Sequence, residues 1–182
     1  GFPDFDGPEA LVERVSHYLA SGRNQYPPMT GVPSLREAIA AKVRDLYGRS
    51  VDPVSEVTVT SGATEALFCA IHAVVRPGDE VIVLDPAYDA YEPAVELAGG
   101  RCVHLRLAAP DFAVDWDAVR DAITPATRLL VLNTPHNPTG AVLSAADLDA
   151  LEAIVADTDV FLLSDEVYEH IVFDGAAHQS LL

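Results

Sequence analysis

The apolar positions of this chain change period part-way along. After Asp6-Gly7-Pro8, residues Leu11, Val12, Val15 and Leu19 recur at helical spacing until Ser21-Gly22, which predicts a first helix ending there. Beyond a loop over 24–31, Leu35, Ile39, Val43 and Leu46 make one face of a second helix. Ser34 and Glu37 are spaced as a capping box at its start, and Gly48 supplies its stop. From Val57 onward short β-branched runs, near 57–60, 80–84, 101–107, 128–132 and 160–164, alternate with amphipathic stretches. Start signals near Ala63, Pro93, Asp115 and Ser144 predict the helices between them, and Ser144 with Asp147 repeats the capping-box spacing. Runs such as Leu129-Leu130-Val131-Leu132 are apolar on both faces, which predicts an open, largely parallel α/β sheet. In such sheets ligands bind at the carboxyl ends of the strands. The pattern separates an N-terminal helical segment, 1–50, from a sheet-bearing segment, 51–182.

Composition narrows the picture modestly. With 182 residues, 49% of them hydrophobic, the chain can bury one sizeable core. Its net charge of -17 comes from 28 acidic against 11 basic residues spread along the whole length, which disfavours nucleic acid and anionic membrane as partners. Cys69 and Cys102 lie far apart in apolar stretches without a CxxC pattern, and read as reduced, buried residues of a cytoplasmic protein. No apolar run approaches the roughly 20 residues of a membrane span, and no signal peptide is visible. Six scattered histidines, with no HxxxH or Cys-His cluster, predict no metal site.

The candidate chemistry sits where strands end. Ser61-Gly62-Ala63-Thr64 turns a strand into a helix, aiming free backbone N–H groups and the positive end of a helix dipole at one spot, as a phosphate site requires. The same turn also reads as a plain connector. Without GxGxxG or GxxxxGK[ST], a dinucleotide or nucleoside triphosphate is the poorer owner of such a phosphate. Tyr88 reaches the sheet's carboxyl edge through Asp85-Pro86, either to stack on a flat heteroaromatic ring or to pack in the core. In the loop 133–140 two prolines and a glycine stiffen the chain around Asn137, while His136 reads as polar surface. Asp165 closes an apolar strand, with Tyr168 three residues on. A carboxylate there needs a cationic or hydrogen-bonding partner, such as a pyridinium N–H, unless it merely caps the next turn.

A phosphate turn, an aromatic plate, an Asn-Pro-x-Gly loop and an Asp-x-x-Tyr pair follow in that order, each at a strand end. Together with Gly1-Phe2-Pro3-Asp4-Phe5, Asn24-Gln25-Tyr26 and 34–38, they resemble the fold type I pyridoxal phosphate enzymes, specifically the class I/II aminotransferases. Within these the chain looks most like the methionine, kynurenine and glutamine-type transaminases. The resemblance implies a three-layer α/β fold with helices on both faces of the sheet, the large domain of an aspartate aminotransferase-like fold. It implies pyridoxal 5'-phosphate as cofactor and transfer of an amino group from an amino acid to a 2-oxo acid. Ala63 and Thr64 would hold the phosphate, Tyr88 would stack on the ring, and Asp165 would pair with its nitrogen. Tyr168 and Asn137 would meet the phenolic oxygen. Asn137 and Gly1 would lie at the substrate, and Tyr26 would reach the phosphate of the neighbouring subunit in a homodimer.

One part of the pattern is missing. The only lysine is Lys42, in the middle of a predicted surface helix, and the family anchors its cofactor through a lysine Schiff base. The resemblance puts that lysine, and the arginine that clamps the substrate carboxylate, after Leu182. It also puts later strands between the strand at 57–60 and the strand ending at Asp165. The expectation is therefore a piece of a chain roughly twice as long, inactive by itself, with unpaired strand edges. Two other activities suit the same scaffold: a cofactor-binding regulator and a carbon-sulfur lyase.

Overall fold

The computed structural model describes residues 4–182, which divide into two units: residues up to Arg44 with Ser50–Val59, and Asp45–Arg49 with Thr60–Leu182. In the first unit helix α1 (Glu9–Ala20) forms at the predicted spacing, entered from Pro8. It buries none of its residues: Leu11, Val12, Val15 and Leu19 are all exposed. Helix α2 (Pro33–Tyr47) starts one residue before the expected capping serine. The Val32 carbonyl accepts from the N–H groups of Leu35 and Arg36, so Ser34 lies inside the first turn. Pro33 sets the start instead, its missing N–H being no loss at a first helical position. Gly48, at φ +68°, stops the helix as predicted.

The strand expected at 57–60 does not form. Val59 N–H donates to the Thr30 carbonyl, but no ladder pairs the segment, and a strand exists only through its neighbour. Gly31 makes that crossing possible: a Cβ there would lie 2.7 Å from the Val59 side chain, and its φ of +100° suits only glycine. Arg36 is buried beside it in sequence, with Nη1 donating to the carbonyls of Pro53 at 2.9 Å and Val54 at 3.3 Å.

The second unit alternates α3 (Ala63–Val74), β1 (Glu80–Asp85), α4 (Tyr91–Leu97), β2 (Arg101–Arg106), α5 (Trp116–Ala122), β3 (Thr127–Asn133), α6 (Ala145–Val155) and β4 (Phe161–Asp165). Asp115 caps α5 by accepting from Ala118 N–H, and Ser144 with Asp147 completes the predicted capping box on α6. Only α4 departs from its start signal, beginning two residues before Pro93. Every strand pairing is parallel, in the order β2-β1-β3-β4.

Alternation along β1 and β3 builds the layers. Val81, Val83, Leu129 and Val131 face one way, onto Leu67, Ile71 and Val75 at α3 and Tyr91, Ala94 and Val95 of α4. Ile82, Leu84, Leu130 and Leu132 face the other way, onto Val119 of α5 and Leu151 of α6. Each such fully buried side chain contributes about 1.5–3 kcal/mol relative to exposure, which explains why the central strands read as continuous apolar runs. The result is an open parallel sheet with helices on both faces. The order in which the chain adds strands reverses between β1 and β3, so their carboxyl ends flank the crevice where doubly wound sheets take ligands.

Candidate active site

At that crevice Ala63, Thr64, Leu67, Tyr88, Asn133, Asn137, Asp165, Val167 and Tyr168 line one cavity of about 140 Å³. Six of these, Ala63, Thr64, Tyr88, Asn137, Asp165 and Tyr168, are the site residues expected from the sequence. They arrive from four separate stretches: three follow the parallel strands β1, β3 and β4, which end on the same edge, and the fourth is the start of α3. No lysine is among the lining residues.

The phosphate turn has the geometry its sequence implies. Gly62 precedes α3 at φ +83°, ψ 168°, and no side chain caps the helix. Among the described residues the N–H groups of Ala63 and Thr64 meet no acceptor, whereas Ser61 N–H is held by the Glu65 carboxylate. Two unbonded donors at a helix start, beside the Thr64 hydroxyl, make a site for an anionic oxygen. The Thr64 hydroxyl is also 3.3 Å from the hydroxyl of Tyr88, tying the turn to the aromatic plate.

Asp165 is half-buried at the end of β4, opposite Asn133 in the ladder. Its Oδ2 accepts from the Tyr91 hydroxyl at 2.7 Å, and its Oδ1 from Val167 N–H at 3.3 Å. Burial, and then the bond to Asp165, push the Tyr91 phenol far above its ordinary range, so it stays protonated and donating. Tyr91 also meets Tyr88 edge-on, with ring centroids 5.7 Å apart at 77°. Asn133 joins the two strand ends: its Nδ2 donates to the Asp165 carbonyl at 2.9 Å and its Oδ1 accepts from Asn137 N–H at 2.7 Å. The side chain of Asn137 is thereby held at the cavity wall.

Tyr91 and Asn133 are the residues that sequence reasoning missed. Tyr91 follows Tyr88 by one helical turn, and a half-buried carboxylate needs a donor. Those two facts together would have found it. Two other expectations are corrected. His136 is not polar surface: it is 8% exposed, bonded at Nδ1 to Thr139 Oγ1 at 2.8 Å, and burial lowers its pKa. It pins the loop that carries Asn137. Cys69 is exposed on α3 instead of buried. Cys102 is half-buried, with its thiol pushed up to about 12, first by burial and then by nearby Glu92, Glu96 and Asp85.

Of the remaining expected site residues, Gly1 lies outside the described residues, and Tyr26 is 100% exposed in the first unit. Lys42 is exposed on α2. Among the described residues no three His, Cys, Asp or Glu side chains are grouped to hold a metal ion, and no helix is long and apolar enough to cross a membrane.

Known proteins are similar to this chain in sequence and in fold. The chain is 54% identical over 182 residues to a methionine aminotransferase of Escherichia coli, covering all of this chain and 47% of that protein. It is 41% identical over 194 residues to kynurenine–oxoglutarate transaminase 1 of Mus musculus, covering all of this chain and 46% of that one. The solved structure of the Escherichia coli methionine aminotransferase superposes with a TM-score of 0.96 over 99% of this chain and 48% of its own, at 54% identity. That of N-succinyldiaminopimelate aminotransferase from Mycobacterium tuberculosis gives 0.94 over 98% and 47%, at 49% identity. The chain spans about half the length of the curated relatives it matches. The family model for aminotransferases of class I and II matches residues 1–182, and the chain belongs to that family.

Proposed function

We propose that this chain is the cofactor-cradling part of a transaminase that moves an amino group from a methionine-like, aromatic or glutamine-like amino acid to a 2-oxo acid. The observation that carries the reading is the convergence of six expected residues from four stretches on one cavity at the sheet's switch point. Enzymes of this family use pyridoxal phosphate. The residues suit it: two unbonded N–H groups for a phosphate, a tyrosine ring for a flat heterocycle, and a carboxylate for a pyridinium N–H. When bound, the cofactor supplies an electron sink for the substrate's α-carbon.

In this reading Ala63 and Thr64 hold the phosphate through their backbone amides. Tyr88 covers the ring, and Asp165 keeps the ring nitrogen protonated. Asn137 and Tyr168 hydrogen-bond the phenolic oxygen, and Asn137 with Gly1 lies at the substrate carboxylate. Residues 1–50 form the helical N-terminal segment and 51–182 part of the cofactor-binding domain. The enzyme works in the cytoplasm as a homodimer in which Tyr26, a fully exposed tyrosine, reaches the partner's phosphate.

The test is made on the full-length gene product loaded with pyridoxal phosphate. Oxo-acid-dependent transfer from methionine, an aromatic amino acid or glutamine is the expected result. Release of ammonia and pyruvate without amino transfer, or no cofactor uptake at all, would sink the proposal.

A further inference from the structure

Among the described residues the carboxylate of Asp165 meets two donors, Val167 N–H and the Tyr91 hydroxyl, and only the second reaches it as a side chain from another element. The hydroxyl of Tyr91, at the first position of α4, donates to Asp165 Oδ2 at 2.7 Å across 74 residues of sequence. Tyr91 is 3% exposed and belongs to the buried core cluster that includes Leu67 and Ile71 of α3 and Val83 and Val131 of the central strands. Its position is thus set by the core and not by the ligand. The same ring meets Tyr88 edge-on at 5.7 Å. One core-anchored side chain therefore touches both the carboxylate and the aromatic plate of the cavity, while lining neither wall itself.

We infer that Tyr91 is a positioning residue for the cofactor's pyridine ring: it fixes the carboxylate of Asp165 by hydrogen bonding and the ring of Tyr88 by edge-to-face contact. The inference rests on the proposed transaminase reading and deepens it. A phenol donates a stronger hydrogen bond to a carboxylate than to a neutral acceptor. Ionised Asp165 in turn favours a protonated ring nitrogen. The bond also selects one orientation of the carboxylate, leaving the lone pairs of Oδ1 not used by Val167 for a further donor. Tyr91 touches no reacting atom, so its effect is carried by Asp165 and Tyr88.

The experiment uses the full-length holoenzyme with Tyr91→Phe, which keeps the ring and removes the hydroxyl. Two quantities are read besides activity: retention of pyridoxal phosphate on dialysis, and the pH midpoint of the bound cofactor's visible absorption. Retention is expected to weaken by on the order of tenfold, the scale of a lost hydrogen bond to a charged group. A ring carrying less positive charge leaves the cofactor's titrating nitrogen more basic, so the midpoint moves to higher pH. Should Tyr91→Phe fail to fold, 3-fluorotyrosine at position 91 carries the test. It is nearly isosteric and a stronger donor, so the midpoint must move the opposite way. A variant that loses only thermal stability, with retention and midpoint unchanged, overturns the inference and leaves the transaminase reading standing. A wild-type protein that takes up no pyridoxal phosphate overturns both.

Discussion

Gly62 shows how a single residue sets the phosphate turn. A Cβ at this position would meet nothing within 4 Å, so space is not the constraint; the backbone is, at φ +83°. Gly62→Ala should therefore cost about 1–3 kcal/mol, the penalty of an extended positive-φ conformation that is nearly confined to glycine. If the chain escapes the cost by relaxing φ, the N–H groups of Ala63 and Thr64 turn away from a shared target. Calorimetry on the variant should show a lowered melting temperature together with weakened binding of a phosphate-bearing ligand. A lowered melting temperature with unchanged binding would mean that the turn serves only as a connector. Single residues were legible in the sequence wherever the information is local. Ser61-Gly62-Ala63-Thr64, Asn137 and Asp165 each announce themselves through their own neighbours, and all but the Ser61-Gly62 pair line the cavity. Tyr91 and Asn133 escaped because their roles depend on partners 74 and 32 residues away. His136 departs from expectation for another reason: its side-chain partner Thr139 is local, but nothing near it in sequence says that the loop folds inward.

Among the elements, the outer strand is joined to its neighbours by a histidine. His104 on β2 lies between Asp85 at the end of β1, 3.0 Å away, and Glu92 in the first turn of α4, 3.3 Å away. The hydrogen bond to Asp85 raises its pKa most, partial burial opposes this, and Glu92 adds to the rise. A histidine whose folded pKa exceeds its unfolded value of about 6.5 gives its full stabilisation below that pH. The stabilisation is lost as pH climbs through the folded value. The melting temperature of wild type should then exceed that of His104→Gln by the largest margin in mildly acidic buffer, and the margin should shrink above neutrality. A margin that is flat across this range would show that the cluster does not hold β2. Most elements followed from pattern: four of the five expected strands form, and Ser144 and Asp115 cap their helices where the sequence placed them. The exception is segment 57–60, which has strand composition but no ladder; α1 forms where expected, with its apolar stripe exposed along its length. Periodicity encodes what an element can do, whereas pairing and burial depend on what lies beside it.

For the molecule as a whole, the two edges of the sheet differ in a way that controls its behaviour in solution. The edge strand β2 carries Arg101, His104 and Arg106, charges that blunt an exposed ladder. The opposite edge, β4, begins Phe161-Leu162-Leu163; Phe161 is 46% and Leu162 39% exposed, and β3 is the only strand paired with it among the described residues. Apolar side chains beside free backbone donors and acceptors form a template for another strand. Against association stands the net charge of -17, which makes copies of the chain repel one another. Salt weakens this repulsion, since the screening length falls from about 10 Å at 0.1 M to about 3 Å at 1 M, but leaves the hydrophobic contact intact. The 182-residue chain should therefore sediment with a larger mass as salt and protein concentration rise together. Leu162→Lys places a like charge on each of two meeting edges and should hold the chain monomeric over the same range. A wild-type chain that stays monomeric at high salt, or a variant that associates as readily, would place the sticky surface elsewhere, and the exposed stripe of α1 would be the next to substitute.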